Sequence, residues 1–262
     1  MGNGKDEYYN RAKQEGYRAR SAYKLQQLDR TAGLFGPGNT VVDLGAAPGG
    51  WLQVAAEEVD EHGTVVGVDR QRIDPLEDHD NIEYVRGDIT EDSTVAAIVD
   101  RVGVAGDDRP VDVVISDMAP NMTGDYDLDH ARSVHLARQA FEVADAVLAP
   151  GGDLAVKVFD GQDVAPLQED MEAQFEYARQ VRPDASRDSS SELYLVAKGY
   201  LTAPVREGDT VVVEIVDIGS DGDGVAKVDG YTLFVSGADA GETVEVRVTD
   251  LKPRFGFAES VD

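Results

Sequence analysis

The sequence predicts an α/β fold on a mainly parallel sheet, followed by a small β-barrel. Up to about residue 200, short apolar strands alternate with helices, which is typical of a parallel sheet covered on both faces. A glycine-rich loop follows the first of these strands. After Tyr200 the helical pattern stops, and short strands separated by Gly- and Asp-rich turns take over, as expected for a barrel.

The elements of the first region follow one another in a regular order. Apolar residues at loose helical spacing predict one helix over residues 7–30, and Gly36-Pro37-Gly38 breaks the chain after it. Strands are predicted over 40–44, 64–68, 82–85, 111–116, 153–159, 177–182 and 192–198. Helices are predicted over 51–59, 90–102, 129–148 and 162–174. The last two strands have no helix between them, so we expect an antiparallel end to the sheet.

The second region has its own pattern of strands. They are predicted over 210–218, 224–228, 231–235 and 243–251, with turns such as DGDG and SGADAG between them. A short linker over about 200–205 joins the two regions. We therefore expect one domain over 1–200 and a second over 204–262.

Composition excludes several classes of site. The 262 residues include no cysteine, which removes disulfides, cysteine-bound zinc, iron–sulfur clusters and thiol nucleophiles. The four histidines form no ligand pattern, so no metal site is expected. No apolar run approaches the ~20 residues of a membrane span, and the start of the chain lacks a signal segment, so a cytoplasmic protein is expected.

Charge is both strongly acidic and uneven. The net charge is −27, from 51 acids and 24 bases, which is typical of adaptation to high salt, although an ordinary acidic cytosolic protein is the alternative. Residues 1–36 carry a net charge of +3, so the rest carries −30. This basic stretch predicts an anionic partner, and a solvated helix face is the alternative.

The glycine-rich loop predicts a ribose-containing cofactor. The segment DLGAAPGGW (43–51) places backbone N–H groups and a helix start around a ligand. Asp69 ends the next strand, where a carboxylate suits ribose hydroxyls, and Asp88 follows the third strand, at the level expected for an adenine amino group. The G-x-x-x-G-G spacing disfavours the dinucleotide and P-loop patterns. S-adenosylmethionine fits these features, and purely structural turns are the alternative.

Four further residues are candidates for chemistry. Lys24 lies on the basic first helix, Asp117 ends the fourth strand, Lys157 lies inside an apolar strand, and Glu192 begins the last strand of the sheet. A lysine in an apolar parallel strand is costly unless it is paired or functional. A structural ion pair between Lys157 and Asp117 is the alternative interpretation.

These residues together resemble the FtsJ/RrmJ (RlmE-type) ribosomal RNA 2′-O-methyltransferases, over residues 5 to about 200. The resemblance implies a Rossmann-like class I S-adenosylmethionine-dependent methyltransferase fold. It implies that Lys24, Asp117, Lys157 and Glu192 surround the target 2′-hydroxyl. It places the cofactor contacts on Gly49, Trp51, Asp69, Asp88 and Asp117.

The resemblance also implies a substrate. The family's usual product is 2′-O-methyluridine in large-subunit (23S) rRNA, so the rRNA or the large ribosomal subunit is the expected partner of a monomeric enzyme. A tRNA or another RNA is the alternative substrate. A non-catalytic RNA-binding ribosome-assembly factor that retained the fold is the alternative from another class.

Residues 204–262 resemble a TRAM domain, a small OB-like RNA-binding β-barrel. Bacterial members of the methyltransferase family generally lack this domain, so together with the acidic composition it points to a halophilic archaeon. This barrel departs from the basic TRAM pattern, because it has five bases and thirteen acids. Its segment KPRFGF (252–257) interleaves bases with aromatic residues, which suits stacking on unpaired bases, and a final barrel strand with a tail is the alternative.

Overall fold

Two sheets organise the chain, one open and one closed. The computed structural model describes residues 4–106, 109–187 and 190–261. Its helices are α1 (Gly4–Glu15), α2 (Ala22–Ala32), α3 (Gly50–Val59), α4 (Asp92–Val102), α5 (Tyr126–Val147) and α6 (Val164–Glu172). The strands of the open sheet are β1 (Thr40–Leu44), β2 (Thr64–Asp69), β3 (Ile82–Arg86), β4 (Val111–Ser116), β5 (Leu148–Phe159), β6 (Phe175–Val181) and β7 (Glu192–Tyr200). The closed sheet contains β8 (Thr210–Ile218), β9 (Gly224–Val228), β10 (Tyr231–Ser236), β11 (Thr243–Leu251) and β12 (Phe255–Ser260).

The open sheet has the strand order β3-β2-β1-β4-β5-β7-β6. The first five strands in this order are parallel, and β7 is antiparallel to both β5 and β6, which confirms the predicted antiparallel end. Because β7 runs in reverse, its first residue Glu192 pairs with the last residue of β5, Phe159. The start of β7 therefore lies at the edge where the parallel strands end, and ligands of open α/β sheets bind at this edge.

The sheet separates two apolar layers. Val41, Val65 and Val113 contribute to a layer on one face that includes residues of α2 and α3. Val42 and Val114 contribute to the layer on the other face, which includes residues of α4, α5 and α6. Both faces are covered, as the near-continuous apolar strands predict.

One predicted helix is wrong. The helix expected over 7–30 is two helices, α1 and α2, because the chain turns at Gly16 in the left-handed region with φ +83°. The Tyr17 N–H donates to the Ala12 carbonyl at 2.9 Å and closes this turn. The loose apolar spacing of the stretch concealed the break.

Smaller differences lie at element ends. α5 begins at Tyr126 because the carboxylate of Asp125 accepts a hydrogen bond from the Leu128 N–H at 3.2 Å. β5 begins at Leu148 rather than at residue 153, since the Pro-Gly-Gly segment before Asp153 joins the strand through an irregular register against β4. β12 is a fifth barrel strand. Residues 255–257 of the segment KPRFGF therefore belong to a strand.

The barrel closes on a core of its own. Its strand order is β10-β12-β11-β8-β9, and its interior is filled by Leu233, Val235, Val246 and neighbouring apolar residues. It lies against the edge of the open sheet opposite to Glu192. There Pro253 of the barrel approaches Gly151 near the start of β5, since a Cβ on Gly151 would lie 3.6 Å from it. The Thr202 hydroxyl also donates to the Pro253 carbonyl at 3.0 Å. Across residues 4–106, 109–187 and 190–261, none of the helices combines the length and apolar character needed to span a membrane.

Candidate active site

The carboxyl edge of the parallel strands brings the predicted reactive residues together. Asp117 follows β4, Lys157 lies near the end of β5, and Glu192 begins β7. Lys24 reaches the same place from the first turn of α2. Four residues that are far apart in the sequence therefore meet because β7 runs antiparallel to β5.

Lys157 is buried and held by Asp117. Its side chain is 7% exposed, and Nζ lies 3.0 Å from Asp117 Oδ1. Nζ also donates to the Asp117 backbone carbonyl at 2.5 Å. An ammonium group with one carboxylate and one carbonyl partner retains a third N–H, which is available to a substrate oxygen.

Lys24 and Glu192 form a second buried pair beside the first. Lys24 Nζ lies 2.6 Å from Glu192 Oε1, and both side chains are 10% exposed. Each lysine of the site thus has its own carboxylate, so the four groups are balanced in charge. Breaking either pair would leave an uncompensated charge in a nearly buried place.

Tyr194 supports this arrangement from below. It is fully buried on β7, and its hydroxyl donates to Asp117 Oδ1 at 2.6 Å. Burial together with Asp117 and Glu192 raises the pKa of Tyr194 well above its ordinary value, so the phenol stays protonated. The Tyr194 ring packs 5.8 Å from the ring of Trp51. Asp117 is therefore fixed by both a lysine and a phenol.

A cleft of about 880 Å³ opens beside Asp117. Its lining includes Gly45 and Ala47 of the glycine-rich loop, and the carboxylates of Asp69, Asp88 and Asp117. Asp69 accepts hydrogen bonds from the N–H groups of Ala47 at 2.9 Å and Gln71 at 2.7 Å. Because a carboxylate has about four lone-pair sites, Asp69 can still accept two hydroxyl groups.

Asp88 is held at the far end of this cleft. One oxygen accepts from the N–H and the hydroxyl of Thr90, at 3.1 and 2.9 Å. These hydrogen bonds keep the pKa of Asp88 below its ordinary value, so the carboxylate is ionised. The other oxygen lies 3.3 Å from Nε of Arg70, a strongly exposed side chain that can leave it for a ligand.

The glycine-rich loop lies very close to neighbouring side chains. Gly45 has φ +81°, and a Cβ there would lie 2.3 Å from Met118 Cγ. Arg18 fixes the other end of the loop, since Nη1 donates to the Pro48 carbonyl at 3.2 Å and Nη2 to the Pro75 carbonyl at 2.7 Å. Arg18 also donates to the Asp74 carbonyl. The sequence assigned Arg18 to a basic patch for an anionic partner, whereas the structure uses its guanidinium to hold the loop.

Asp43 is the unexpected residue of the site. It is buried on β1, and among the residues that the structure describes neither carboxylate oxygen has a hydrogen-bond partner. Burial, and then the negative charges of Asp117 and Asp69, raise the pKa of Asp43 well above 3.8. Three carboxylates close enough to influence one another favour a cationic ligand and repel a pyrophosphate. S-adenosylmethionine carries a sulfonium and an ammonium group, so these residues fit it.

The predicted cofactor residues divide into two groups. Asp69, Asp88 and Asp117 line the cleft. Gly49 and Trp51 lie behind the cleft, at the start of α3. Gly49 packs against Arg18. The buried Trp51 ring donates a hydrogen bond to the Ser21 carbonyl at 2.8 Å. Gly49 is the N-cap of α3 and Trp51 is its second residue, and the N–H groups of this first turn lack intrahelical partners.

Sequence reasoning missed Asp43, Tyr194 and Arg18 as site residues. Asp43 carried a signal, because it is an acidic residue inside an otherwise apolar strand. Arg18 and Tyr194 carried none, since their roles depend on contacts with residues far away in the sequence. Within the parts of the chain that the structure describes, no cluster of three or more His, Asp or Glu residues is arranged to hold a metal ion.

The chain is similar to known proteins along almost its whole length. The sequence profile of the family described as FtsJ-like methyltransferase matches residues 17–200, and that of the TRAM domain matches residues 204–261. The chain is 71% identical to the Ribosomal RNA large subunit methyltransferase E of Haloarcula marismortui, covering 99% of each chain. It is 44% identical to the protein of the same name from Methanosarcina mazei, covering 97% of this chain and 92% of the relative. Among solved structures, it is similar to a putative ribosomal RNA methyltransferase from Plasmodium falciparum, with 25% identity and a TM-score of 0.61, covering 70% of this chain and 98% of that one.

Proposed function

Because the chain belongs to the FtsJ-like methyltransferase family and ends in a TRAM domain, we propose that it methylates the ribose 2′-hydroxyl of a uridine in large-subunit rRNA with S-adenosylmethionine. The printed names of its curated relatives support ribosomal RNA of the large subunit as the substrate. Several of those relatives come from halophilic archaea, which agrees with the charge of −27.

One observation carries the proposal. A buried lysine, Lys157, is held by Asp117, and Asp117 also lines the acidic cleft. The nucleophile and the methyl donor must meet in line, so the group that holds the nucleophile must border the donor's cleft. The Lys157–Asp117 pair meets this requirement.

The cleft supplies the cofactor site. When bound, S-adenosylmethionine would supply a methyl group activated by its positively charged sulfur. Asp69 would accept hydrogen bonds from the ribose hydroxyls, and Asp88 would accept one from the adenine amino group. Asp43 and Asp117 would offset the positive charge of the ligand, and the backbone N–H groups at the start of α3 would bind the carboxylate of its amino-acid end.

Lys157 orients the nucleophile. Nζ lies 3.0 Å from Asp117 Oδ1 and donates to the Asp117 carbonyl, which leaves one N–H for the substrate, so we assign Lys157 the role of a hydrogen-bond donor to the 2′-oxygen rather than that of a general base. Donation to one lone pair leaves the other lone pair of the 2′-oxygen aimed at the methyl group. The hydroxyl proton then leaves late, to a water molecule, as the oxygen becomes positively charged while the carbon–oxygen bond forms and the bond between that carbon and the donor sulfur breaks.

Lys24 and Glu192 complete the wall around the target. Their pair is nearly buried, so it excludes water on the side of the site away from the cofactor cleft. Lys24 has three N–H donors and uses one of them on Glu192, which leaves donors for the substrate RNA. We propose that this pair positions the target ribose rather than moving its proton.

The decisive experiment follows the methyl group. The protein, in molar salt, is incubated with methyl-labelled S-adenosylmethionine and with large-subunit rRNA, tRNA or assembled large subunits, and 2′-O-methyl groups are mapped. We expect label at one uridine of the large-subunit rRNA, in free or assembled form. Label found only in tRNA would show that tRNA, not rRNA, is the substrate. Label on a base would contradict the proposal that the 2′-hydroxyl is methylated. Tight cofactor binding without transfer to any RNA would favour a non-catalytic assembly factor.

The role of Lys157 needs its own test. Lys157→Arg retains a permanent positive charge and donors but cannot act as a general base near neutral pH. In single-turnover measurements we expect it to retain more transfer than Lys157→Met, with a pH dependence like that of the wild type. A general base would make the two variants equally inactive.

A further inference from the structure

Two buried polar side chains of α5 hold the end of β5. His130 and Ser133 are 4% and 1% exposed, and their spacing places them on the same face of the helix. The Ser133 hydroxyl donates to the His130 carbonyl at 2.8 Å, and its oxygen accepts from the Phe159 N–H at 3.0 Å. His130 Nδ1 donates to the Phe159 carbonyl at 2.9 Å, because a carbonyl can only accept. We call these two side chains the α5 clamp.

The clamp takes the place of a neighbouring strand. β4 ends at Ser116, which pairs with Val156, whereas β5 continues to Phe159. On its other side β5 pairs with β7 as far as Phe159 and Glu192. Buried main-chain N–H and C=O groups need partners, and those of Phe159 find them on α5. The clamp thus fixes the part of β5 that extends past β4.

The imidazole ring of His130 also fixes the turn after β5. Nε2 accepts from the N–H of Asp163, the N-cap of α6, at 3.3 Å, and lies 3.2 Å from the Asp163 carboxylate. A Cβ on Gly161 would lie 2.5 Å from the ring, so a residue with a side chain does not fit there without a shift. One ring therefore connects α5 to the end of β5, to the turn and to the start of α6.

The end of β5 is joined in turn to the start of β7. The carboxylate of Asp160 pairs with Arg182 at 2.7 Å, and Arg182 donates to the Glu192 carbonyl at 3.3 Å. Glu192 also pairs with Phe159 across the two strands, and Lys157 lies two residues before Phe159. A shift of the end of β5 would therefore move two of the four reactive residues.

From this geometry, and resting on the proposed function, we infer that His130 is a positioning residue for methyl transfer. By holding Phe159 it sets the separation between Lys157 on β5 and Glu192 on β7. The transfer needs both groups around one ribose, and a displacement of about 1 Å can cost on the order of 100-fold in rate. His130 acts through the main chain, since its ring contacts are Phe159, Gly161 and Asp163.

Single-turnover methyl transfer by the full chain in molar salt tests this role. His130→Leu fills a similar space but has no donor for the Phe159 carbonyl. We expect its rate constant to fall roughly 30-fold, with S-adenosylmethionine affinity and the half-saturating RNA concentration within about twofold of the wild type. His130→Asn carries an amide N–H one bond from Cγ, as histidine does at Nδ1. It should recover the rate to within about fivefold of the wild type.

Gly161→Ala tests the same contact without changing the histidine. Its methyl group would meet the ring, so the ring or the turn must shift. We expect the rate constant to fall roughly tenfold, again at an unchanged cofactor affinity. This variant also decides the matter if His130→Leu does not fold, because a wild-type rate in Gly161→Ala would overturn the role of the ring.

A matched control lies further along the same helix. Val143 is 1% exposed on α5, and at 1.5 Å per residue it lies about 20 Å from His130. Val143→Ala should be less stable in chemical denaturation, yet its folded form should transfer methyl groups within about twofold of the wild-type rate. The inference is overturned if His130→Leu loses only stability, if Val143→Ala is slowed as much, or if His130→Asn is as slow as His130→Leu.

Amide hydrogen exchange distinguishes this inference from the proposed function, because it needs no RNA. In His130→Leu we expect faster exchange at residues 158–162 and 191–193, and unchanged exchange in β1, β2 and β3. Wild-type exchange at both strand ends would overturn the clamp, whatever the activity. Faster exchange in the variant of a protein whose wild type methylates no RNA would overturn the proposed function and leave the hold of α5 on the two strands.

Discussion

The two edges of the open sheet each bury a lysine–aspartate pair that involves β5. At the carboxyl edge the pair is Lys157–Asp117, and at the opposite edge it is Lys198–Asp153. At the second pair, Lys198 also donates to the Gly33 carbonyl at 2.8 Å, and the remaining oxygen of Asp153 accepts from the Gly199 N–H at 3.1 Å. Lys198 and Asp153 thus have protein partners on both sides, whereas Asp117 borders an open cleft.

This difference distinguishes a structural ion pair from a candidate catalytic pair. Residue types, strand and burial are similar at the two edges, so a lysine buried in a strand does not by itself identify an active site. Burial raises the pKa of Asp153 even though Lys198 opposes the shift, so burying this carboxylate carries a desolvation cost. The open cleft beside one pair is what makes it a candidate for catalysis.

The largest expected effect comes from removing each lysine in turn. Lys157→Met should lower the rate of methyl transfer on the order of 100-fold or more while leaving cofactor affinity near that of the wild type. Lys198→Met should leave the rate constant nearly unchanged but lower the free energy of unfolding by about 3 kcal/mol, because Asp153 is left buried and unpaired. Single-turnover kinetics and chemical denaturation measure the two quantities. Similar losses of activity in both variants would remove the distinction between the edges.

A second comparison concerns two buried aspartates, Asp43 and Asp153. Asp153 has a partner for each oxygen, whereas Asp43 has none within the described part of the chain. Asp43→Asn should weaken S-adenosylmethionine binding roughly tenfold, since a negative charge that is coupled to the cleft residues Asp69 and Asp117 is lost. The same variant should leave the ligand-free protein as stable as the wild type or more stable, because an amide is cheaper to bury than a carboxylate.

The role of Asp43 also predicts how stability and cofactor affinity change with pH. The raised pKa of Asp43 means that the folded state holds its proton more tightly than the unfolded state. Stability of the ligand-free wild type should therefore fall as pH rises above 3.8 and through the folded-state pKa, whereas cofactor affinity should rise. In Asp43→Asn both changes should shrink, as thermal unfolding with and without S-adenosylmethionine would show. An unchanged pH dependence would mean that Asp43 does not titrate.

The third effect compares two arginines of the basic stretch. Arg18 fixes the glycine-rich loop, and Arg20 donates to the Ala185 carbonyl at 2.6 Å, away from that loop. Arg18→Ala should weaken cofactor binding about fivefold, the equivalent of about one hydrogen bond. Arg20→Ala should leave it unchanged in calorimetry. Equal affinities in the two variants would show that the loop holds its shape without Arg18.

The smallest expected effect is loss of the barrel. A chain ending at Tyr200 should fold and bind S-adenosylmethionine like the full chain, because the barrel core shares no residue with the two layers of the sheet. Its KM for structured rRNA should rise severalfold at an unchanged kcat, since the barrel adds binding that is remote from the reaction. A lower kcat with unchanged KM would instead place the barrel's effect at the active site.

Much of the fold and of the site could be predicted from local patterns. Alternating strands and helices, and acids at the ends of β2, β3 and β4, are features of neighbouring residues, and they correctly predicted the sheet and the cleft. The split between α1 and α2 depends on Gly16, whose left-handed turn is one of several outcomes a glycine permits. The role of Arg18 depends on carbonyls at positions 48 and 75, which only the folded chain brings near.

The reversed strand β7 also determines when the enzyme can become competent during its synthesis. β6 leaves the ribosome before β7, yet β7 lies between β5 and β6 in the sheet. Until β7 is inserted, β5 has an open edge and β6 has no neighbour on which to pair, a state prone to association with other chains. Glu192 is the first residue of that last strand. Lys24 can therefore pair with Glu192 only after almost the whole domain has been translated. An incomplete chain has neither a complete sheet nor a complete site.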